Sequence, residues 1–510
     1  MKKRLFRNRR ARYTSISVAL TVLVIVAVIL VNSVFGSLAT RYSWYTPMNA
    51  EANYDVSDTC YRLLDSVFAA SADSKRAGDI TVIFCDTEAV WSQDETLNYL
   101  YQTAKSFDEK YENLKLEFHD VRLNPNSVKQ YTVDPKTGDS IPMEDSNVII
   151  TCGDYFRVYT LEEFFVFHDL ESTQVWGYNG ERKLAAGIIR AFDPSPKTAC
   201  LTANHGEIFY DYEIIRMLDD AGYDVVSDFD LAEDDIPANC SLIITYNPNS
   251  DLDFTEGVAE NEKLDAFLEK SGTNYLVFVS NGTPKLPNLE QYLKEWGVQT
   301  AYYTDPGYGK QYRYTVQDSK NSLTSDGYTI YGALSEEQNA QKWFEELDGS
   351  VIFKNATALT HANDFVASGN GTYSKSNRTL YGIYQSSESA VLWANGVSRS
   401  GEDAMLMTLT VQSNENGAPS CVGVVASAEF VAQEQLQTAV LQNPDVMQRM
   451  LGLMGQKYSV EGINLKPFAS TDISTITTSQ MLRWTLCLAL IPAGVIAVAG
   501  IVILIRRRRA

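Results

Sequence analysis

Between residues 197 and 298 the chain alternates short apolar runs with apolar positions at helical spacing. Residues 198–203 make an apolar run of strand length, closed by the polar stretch Asn204-His205-Gly206-Glu207. Ile208, Tyr212, Ile215 and Leu218 then recur at helical spacing over 208–221, and Gly222 stops the pattern. Further apolar runs at 223–226, 241–246 and 275–279 bracket a helical pattern at 256–270, and another helix lies in the stretch ending at Val298. Helices alternating with strands that are apolar on both faces predict a parallel sheet covered on both sides. Such sheets bind ligands at the carboxyl ends of their strands, so the turn at 204–207 is the first candidate site.

Upstream, residues 56–69 read as a helix with Ser57 as its N-cap. A strand (79–86), a helix (94–111) and a strand (114–121) make a βαβ unit, and strands at 147–152 and 157–160 follow. That order predicts a thioredoxin-like domain over 56–192. The turn after its first strand carries a lone Cys85, which cannot run dithiol exchange, so the fold would serve as scaffold. A helix at 181–192 leads through Asp193-Pro194-Ser195-Pro196 into an α/β domain at 197–298. From 299 to 480 Gly, Asn, Ser, Thr and Tyr become frequent. Apolar runs at 328–334, 351–359, 390–393, 405–411 and 421–426, then a helix at 429–456 broken at Asn443-Pro444, predict a β-rich C-terminal part ending in a polar tether at 470–479.

Two longer runs change the picture. Residues 16–35 are 20 positions without a charge, and 484–505 are 22 more. Each is long enough to cross a bilayer as a helix. Basic tails at 1–15 and 506–510 flank them, which predicts both termini in the cytoplasm, a stalk at 36–55, and a large domain outside a cell membrane spanned twice. The first run is longer than a signal-peptide core and lacks a small-x-small cleavage site. The tails hold 11 of the 43 Lys+Arg and none of the 64 Asp+Glu, so the region between them stands at −32. That charge disfavours nucleic acid or an anionic lipid surface as a direct partner.

Cys60, Cys85, Cys152, Cys200, Cys240 and Cys421 lie between the two runs, and Cys487 within the second. No CxxC or Cys/His ligand spacing exists, which gives a zinc or thiol-redox site no support. Free buried thiols are expected, with one disulfide left open.

Several stretches, taken in order, resemble the GldG family of auxiliary membrane subunits of ABC-type transport systems, first described with gliding motility. They are Tyr54-Asp55-Val56-Ser57 with Thr59 and Leu63, then Asn204-His205-Gly206-Glu207, where the family has GHGE. Asp251-Leu252-Asp253-Phe254-Thr255-Glu256 with Leu264, Phe267 and Leu268 comes next. Leu286-Pro287-Asn288-Leu289 with Trp296-Gly297, Ala426-Ser427-Ala428-Glu429-Phe430, and the closing apolar run with its basic stop complete the series. Asn204 and Ser271 stand where the family has glycine.

The resemblance implies a central domain of the flavodoxin/class I glutamine-amidotransferase kind, α/β in class. Amidotransferases use Cys, His and Glu. Cys240 starts its run, Cys200 sits inside one, and a Cys200/His205 spacing of five residues does not align thiol and imidazole. No catalytic residue is therefore expected. Glu207 is expected to cap the following helix, with ligand contact by Asn204, His205, Gly206 and Glu207 as the other role. His205 and Glu207 alone leave a metal short of ligands, and no cofactor is expected. The tyrosines 302, 303, 308, 312 and 314 read as strand-face packing or, less directly, as a sugar- or wall-binding platform. The chain has no G-x-x-x-x-G-K-[ST]. The function expected is a non-enzymatic extracytoplasmic subunit, partnered by a polytopic ABC permease and a separate cytoplasmic P-loop ATPase. The alternative is a membrane-tethered hydrolase or amidotransferase-like enzyme using a His205/Glu207 crevice.

Overall fold

A computed structural model describes residues 55–468, apart from 72–78, 95, 135–137, 168–174, 194, 208–211, 348, 370, 401–403, 415–416 and 438–440. Helix α1 (Asp58–Ser71) precedes a four-stranded sheet built from β1 (Ile80–Phe84), β2 (Leu114–Phe118), β3 (Val148–Cys152) and β4 (Tyr155–Tyr159). Its order is β2-β1-β3-β4, with β1 parallel to β2 and antiparallel to β3. Strand β1, Ile-Thr-Val-Ile-Phe, sends side chains to two separate cores. Val82 and Phe84 meet α1 and helix α2 (Leu97–Lys110) through Leu64, Leu100 and Phe107, while Ile83 joins Val128 and Ile149 on the opposite face.

Helix α3 (Gly180–Phe192) is buried along almost its whole length. One side lies against the first sheet so closely that a Cβ on Gly187 would sit 2.4 Å from Ile150 Cδ1 and 2.8 Å from the Tyr159 hydroxyl. Lys183 and Arg190 stand one turn before and one turn after Gly187 on that helix. Lys183 is paired with Asp220 at 2.5 Å, and Arg190 with Asp224. Arg157 of β4 adds a third pair, with Asp219. Three cations from the first sheet and its helix thus bind one acidic edge of the second. Near the start of α3, Glu181 accepts from Ser57 N at 2.9 Å and pairs with Lys466 at 2.6 Å. Lys466 also pairs with Tyr178 across a short antiparallel ladder, so both ends of the described chain meet there.

The second sheet is built from β5 (Thr198–Thr202), β6 (Asp224–Phe229), β7 (Cys240–Tyr246) and β8 (Asn274–Phe278), with helices α4 (Glu213–Asp220), α5 (Glu260–Leu268) and α6 (Pro287–Glu295) between or after them. Later in the chain come β9 (Val366–Gly369), β10 (Thr372–Lys375), β11 (Arg378–Gln385), β12 (Met405–Gln412), β13 (Ser420–Val425) and helix α7 (Asn443–Leu453). Among the described residues these strands run β9-β10-β11-β12-β13-β8-β7-β5-β6 within a 12-stranded sheet. Strands β6, β5, β7, β8 and β13 are mutually parallel, and β12 onward alternates antiparallel. Every residue of β5, β7, β8 and β13 is buried, as the double covering of a parallel sheet requires.

This arrangement corrects the expected fold class. The β-rich C-terminal part does not stand apart from the central α/β sheet. Strand β13, apolar and buried on both faces, needs a backbone partner at each edge. It finds β8 in parallel, Val422 opposite Tyr275, and β12 in antiparallel, Val424 opposite Thr408. The fold is a mixed α/β body in which the last third of the chain completes the central sheet.

The expected membrane helix at each end and the two-span cell-membrane placement are corrected as well. Among the described residues no helix is long and apolar enough to cross a membrane. The longest, α1 and α2, have 14 residues each. At 1.5 Å per residue they rise about 21 Å, short of the ~30 Å hydrocarbon core. The runs at 16–35 and 484–505, with the tails, the stalk and the tether, lie outside the described residues.

Candidate functional site

Strand β5 lies between β6 and β7, so the chain leaves it first to one side and then to the other. The carboxyl ends of β5 and β7 flank that switch point, where open α/β sheets form their ligand crevice. Residues 203–207 follow β5 and residues 247–250 follow β7. The two loops are tied together: Asn249 N and Ser250 N donate to the His205 carbonyl at 2.9 and 2.8 Å. Gly206 has φ +67°, the left-handed turn that lets the chain fold back here, and a Cβ on it would stand 3.4 Å from Asn249 Cβ.

His205 is only 3% exposed, and both ring nitrogens face carboxylates. Nε2 is 2.9 Å from Glu260 Oε2, and Nδ1 is 3.4 Å from Glu207 Oε1, an ion-pair distance rather than a hydrogen bond. Glu207 accepts from Thr202 Oγ1 and, at 2.8 Å, from His205 N. Glu260 accepts from Asp253 N at 2.6 Å and Asn204 Nδ2 at 2.8 Å. Burial works against the charged imidazole, but the two carboxylates outweigh it and raise His205 to about 9. Burial also pushes both carboxyls up; His205 and their other donors overcome it and hold Glu207 and Glu260 below the usual range. The unit is a buried imidazolium clamped between two carboxylates.

The four residues singled out from the sequence are brought together, with a different division of labour. Glu207 does not cap the following helix. Its carboxylate turns back on its own strand end, and α4 begins only at Glu213. The residue missed is Glu260, at the first position of α5 and 55 residues from His205. An acid at a helix start was the available signal, but nothing local shows that it points to an imidazole. Cys200 is not paired with His205. Its sulfur meets that of Cys240. A ring protonated on both nitrogens offers no lone pair for a metal and accepts no proton from a nucleophile.

The clamp is continuous with a second network. Asp251 accepts from Asn288 N and Leu289 N at 2.8 and 2.9 Å, capping α6, and Asn288 Nδ2 donates to the Leu252 carbonyl at 2.6 Å. The stretches 204–207, 251–256 and 286–289 therefore form one surface at the carboxyl end of the sheet. At the end of β13, the Ala428 carbonyl accepts from the Tyr246 hydroxyl at 2.8 Å. Tyr303 and Tyr312 face each other across a short hairpin and pack on the core, while Tyr308 at its tip is 92% exposed.

No protein-family model matches the chain, and no curated protein matches it. Among solved structures the chain is similar to the "mmIFT52 N-terminal domain", at 12% identity, over 50% of this chain and 97% of that one, with a TM-score of 0.36. A likeness at that score carries no argument about fold or function.

Proposed function

We propose that this chain is a non-enzymatic auxiliary subunit of an ABC-type transport complex of the GldG kind, holding a substrate or partner protein on the carboxyl-end surface of its mixed sheet. One observation carries the reading. Three of the stretches that resemble the family, 204–207, 251–256 and 286–289, are distant in sequence yet joined in one hydrogen-bonded surface through Glu260, Asp251 and the His205 carbonyl. A surface built from those stretches is where a shared binding role would reside. The clamped, doubly protonated His205 favours a structural or binding use over general-base catalysis. ATP hydrolysis would come from a separate P-loop subunit, and a polytopic permease would provide the transport path.

The test is a mild-detergent pull-down of the full-length protein, with and without crosslinking, read by mass spectrometry. Co-purification of a polytopic permease and a P-loop ATPase is the expected result. A monodisperse protein that lacks both, even after crosslinking, would overturn the proposal.

A further inference from the structure

We propose that Cys200 and Cys240 form a reversible dithiol–disulfide pair, oxidised by a small-molecule disulfide of the glutathione class. The two residues are 40 positions apart, in neighbouring parallel strands, and their sulfurs lie 3.5 Å from each other. Strict register would not bring them together: Cys240 stands opposite Thr198, and Cys200 opposite Ile243. A register shift between Thr198 and Ala199 places the extra residue, Ser241, in β7 and lets the Cys240 sulfur reach across to Cys200. Closing the gap to the ~2.05 Å of a disulfide needs roughly 1.5 Å of movement. Cys240 is the first residue of its strand and can take up that movement without opening the ladder beyond it.

The two thiols are not equivalent, and the difference sets the order of events. Cys240 is 7% exposed and Cys200 is fully buried. The sulfur–sulfur contact holds the Cys240 thiol below its usual range against the opposing effect of burial, while the same contact and burial push Cys200 up. Cys240 is thus the thiolate that a reagent meets first, and Cys200 the resolving group. The Cys240 thiolate attacks one sulfur of oxidised glutathione, giving a mixed disulfide and releasing one glutathione thiolate. Cys200 then gives up its proton to that thiolate and attacks the Cys240 sulfur, expelling the second glutathione. Two protein thiols are oxidised and one glutathione disulfide is reduced to two thiols.

The full-length protein is incubated with oxidised glutathione, alkylated in denaturant, digested without reductant and read by mass spectrometry. A peptide linked through Cys200 and Cys240, about 2 Da lighter than the sum of its reduced parts, is expected, and reductant reverses it. The Cys200→Ser variant should instead hold a glutathione on Cys240, adding roughly 305 Da. Cys240→Ser should leave Cys200 fully alkylated. Two free thiols in the oxidised wild-type protein would overturn the pairing. So would a stable glutathione adduct on wild-type Cys240 with no cross-link, or a disulfide from either residue to a different cysteine. The wild-type result decides the matter even where a variant fails to fold.

Discussion

Nε2 of His205 lies 2.9 Å from Oε2 of Glu260, and that single pair joins the end of strand β5 to the first residue of helix α5. The imidazolium belongs to the folded state, so its contribution depends on pH in a definite direction. Its folded pKa, about 9, lies above the 6.5 of an ordinary imidazole. The stabilisation is fully present below about pH 6.5 and is lost as pH rises through 9, a change on the order of 3 kcal/mol. The partner carboxyls, held low, act in the opposite sense: their contribution is present above about pH 4.5 and is lost as pH falls through their depressed values. Urea unfolding of the wild-type protein should weaken between pH 6.5 and 9.5, and His205→Ala should flatten that slope. An unchanged slope in the variant would show that the clamp is not the titrating unit.

Removing Asp220 tests the junction between the two sheets. Lys183 is 4% exposed, so Asp220→Ala leaves a buried ammonium unpaired and should cost about 3–5 kcal/mol. Lys183→Met combined with Asp220→Leu should recover much of that loss, because it removes both charges and fills the space. Chemical unfolding of Lys183→Met, Asp220→Leu and the double variant gives the coupling directly. Additive losses would mean that the pair is not coupled.

Gly187 sets the distance between α3 and the first sheet. Gly187→Val meets Ile150 and the Tyr159 hydroxyl, and overpacking there should cost about 1–3 kcal/mol. Trimming the neighbour in Gly187→Val/Ile150→Ala should relieve the clash, so the double variant should be more stable than the sum of its parts allows. A thermal melt of each variant checks it.

Asp251 separates folding from binding. Its carboxylate caps α6 through Asn288 N and Leu289 N, and Asp251→Ala should cost about 1–2 kcal/mol. If the carboxyl-end surface holds the partner, that variant should also lose more co-purified permease than Gly187→Val does at equal stability. Equal losses would place the partner elsewhere.

Much of the sheet can be read from the amino-acid order because strands buried on both faces leave a plain mark. Residues 242–244 and 275–278 are unbroken apolar runs, and Gly222 and Gly272 follow the ends of helices α4 and α5. What could not be read is who pairs with whom. The run at 421–425 declares itself a strand, but nothing in it says that its neighbour is Tyr275, nearly 150 residues earlier. The site divides in the same way. Asn204 to Glu207 stand out as a polar break after a strand, whereas Glu260 and the Cys200–Cys240 contact arise from tertiary placement and a one-residue bulge. Local periodicity carries no trace of either.

Glu181 holds Ser57 on one side and Lys466 on the other, so the chain enters and leaves the described fold at one corner. Mechanically, a pull from either flanking segment would enter the described fold at one point rather than at opposite ends. A pull on either flank would reach the same carboxylate and pass along α3, the helix that packs on the first sheet and on helix α4. Loaded at one corner, the fold would not be stretched from end to end, and the pairs Arg157–Asp219, Arg182–Asp445, Lys183–Asp220 and Arg190–Asp224 would take up the strain between its parts.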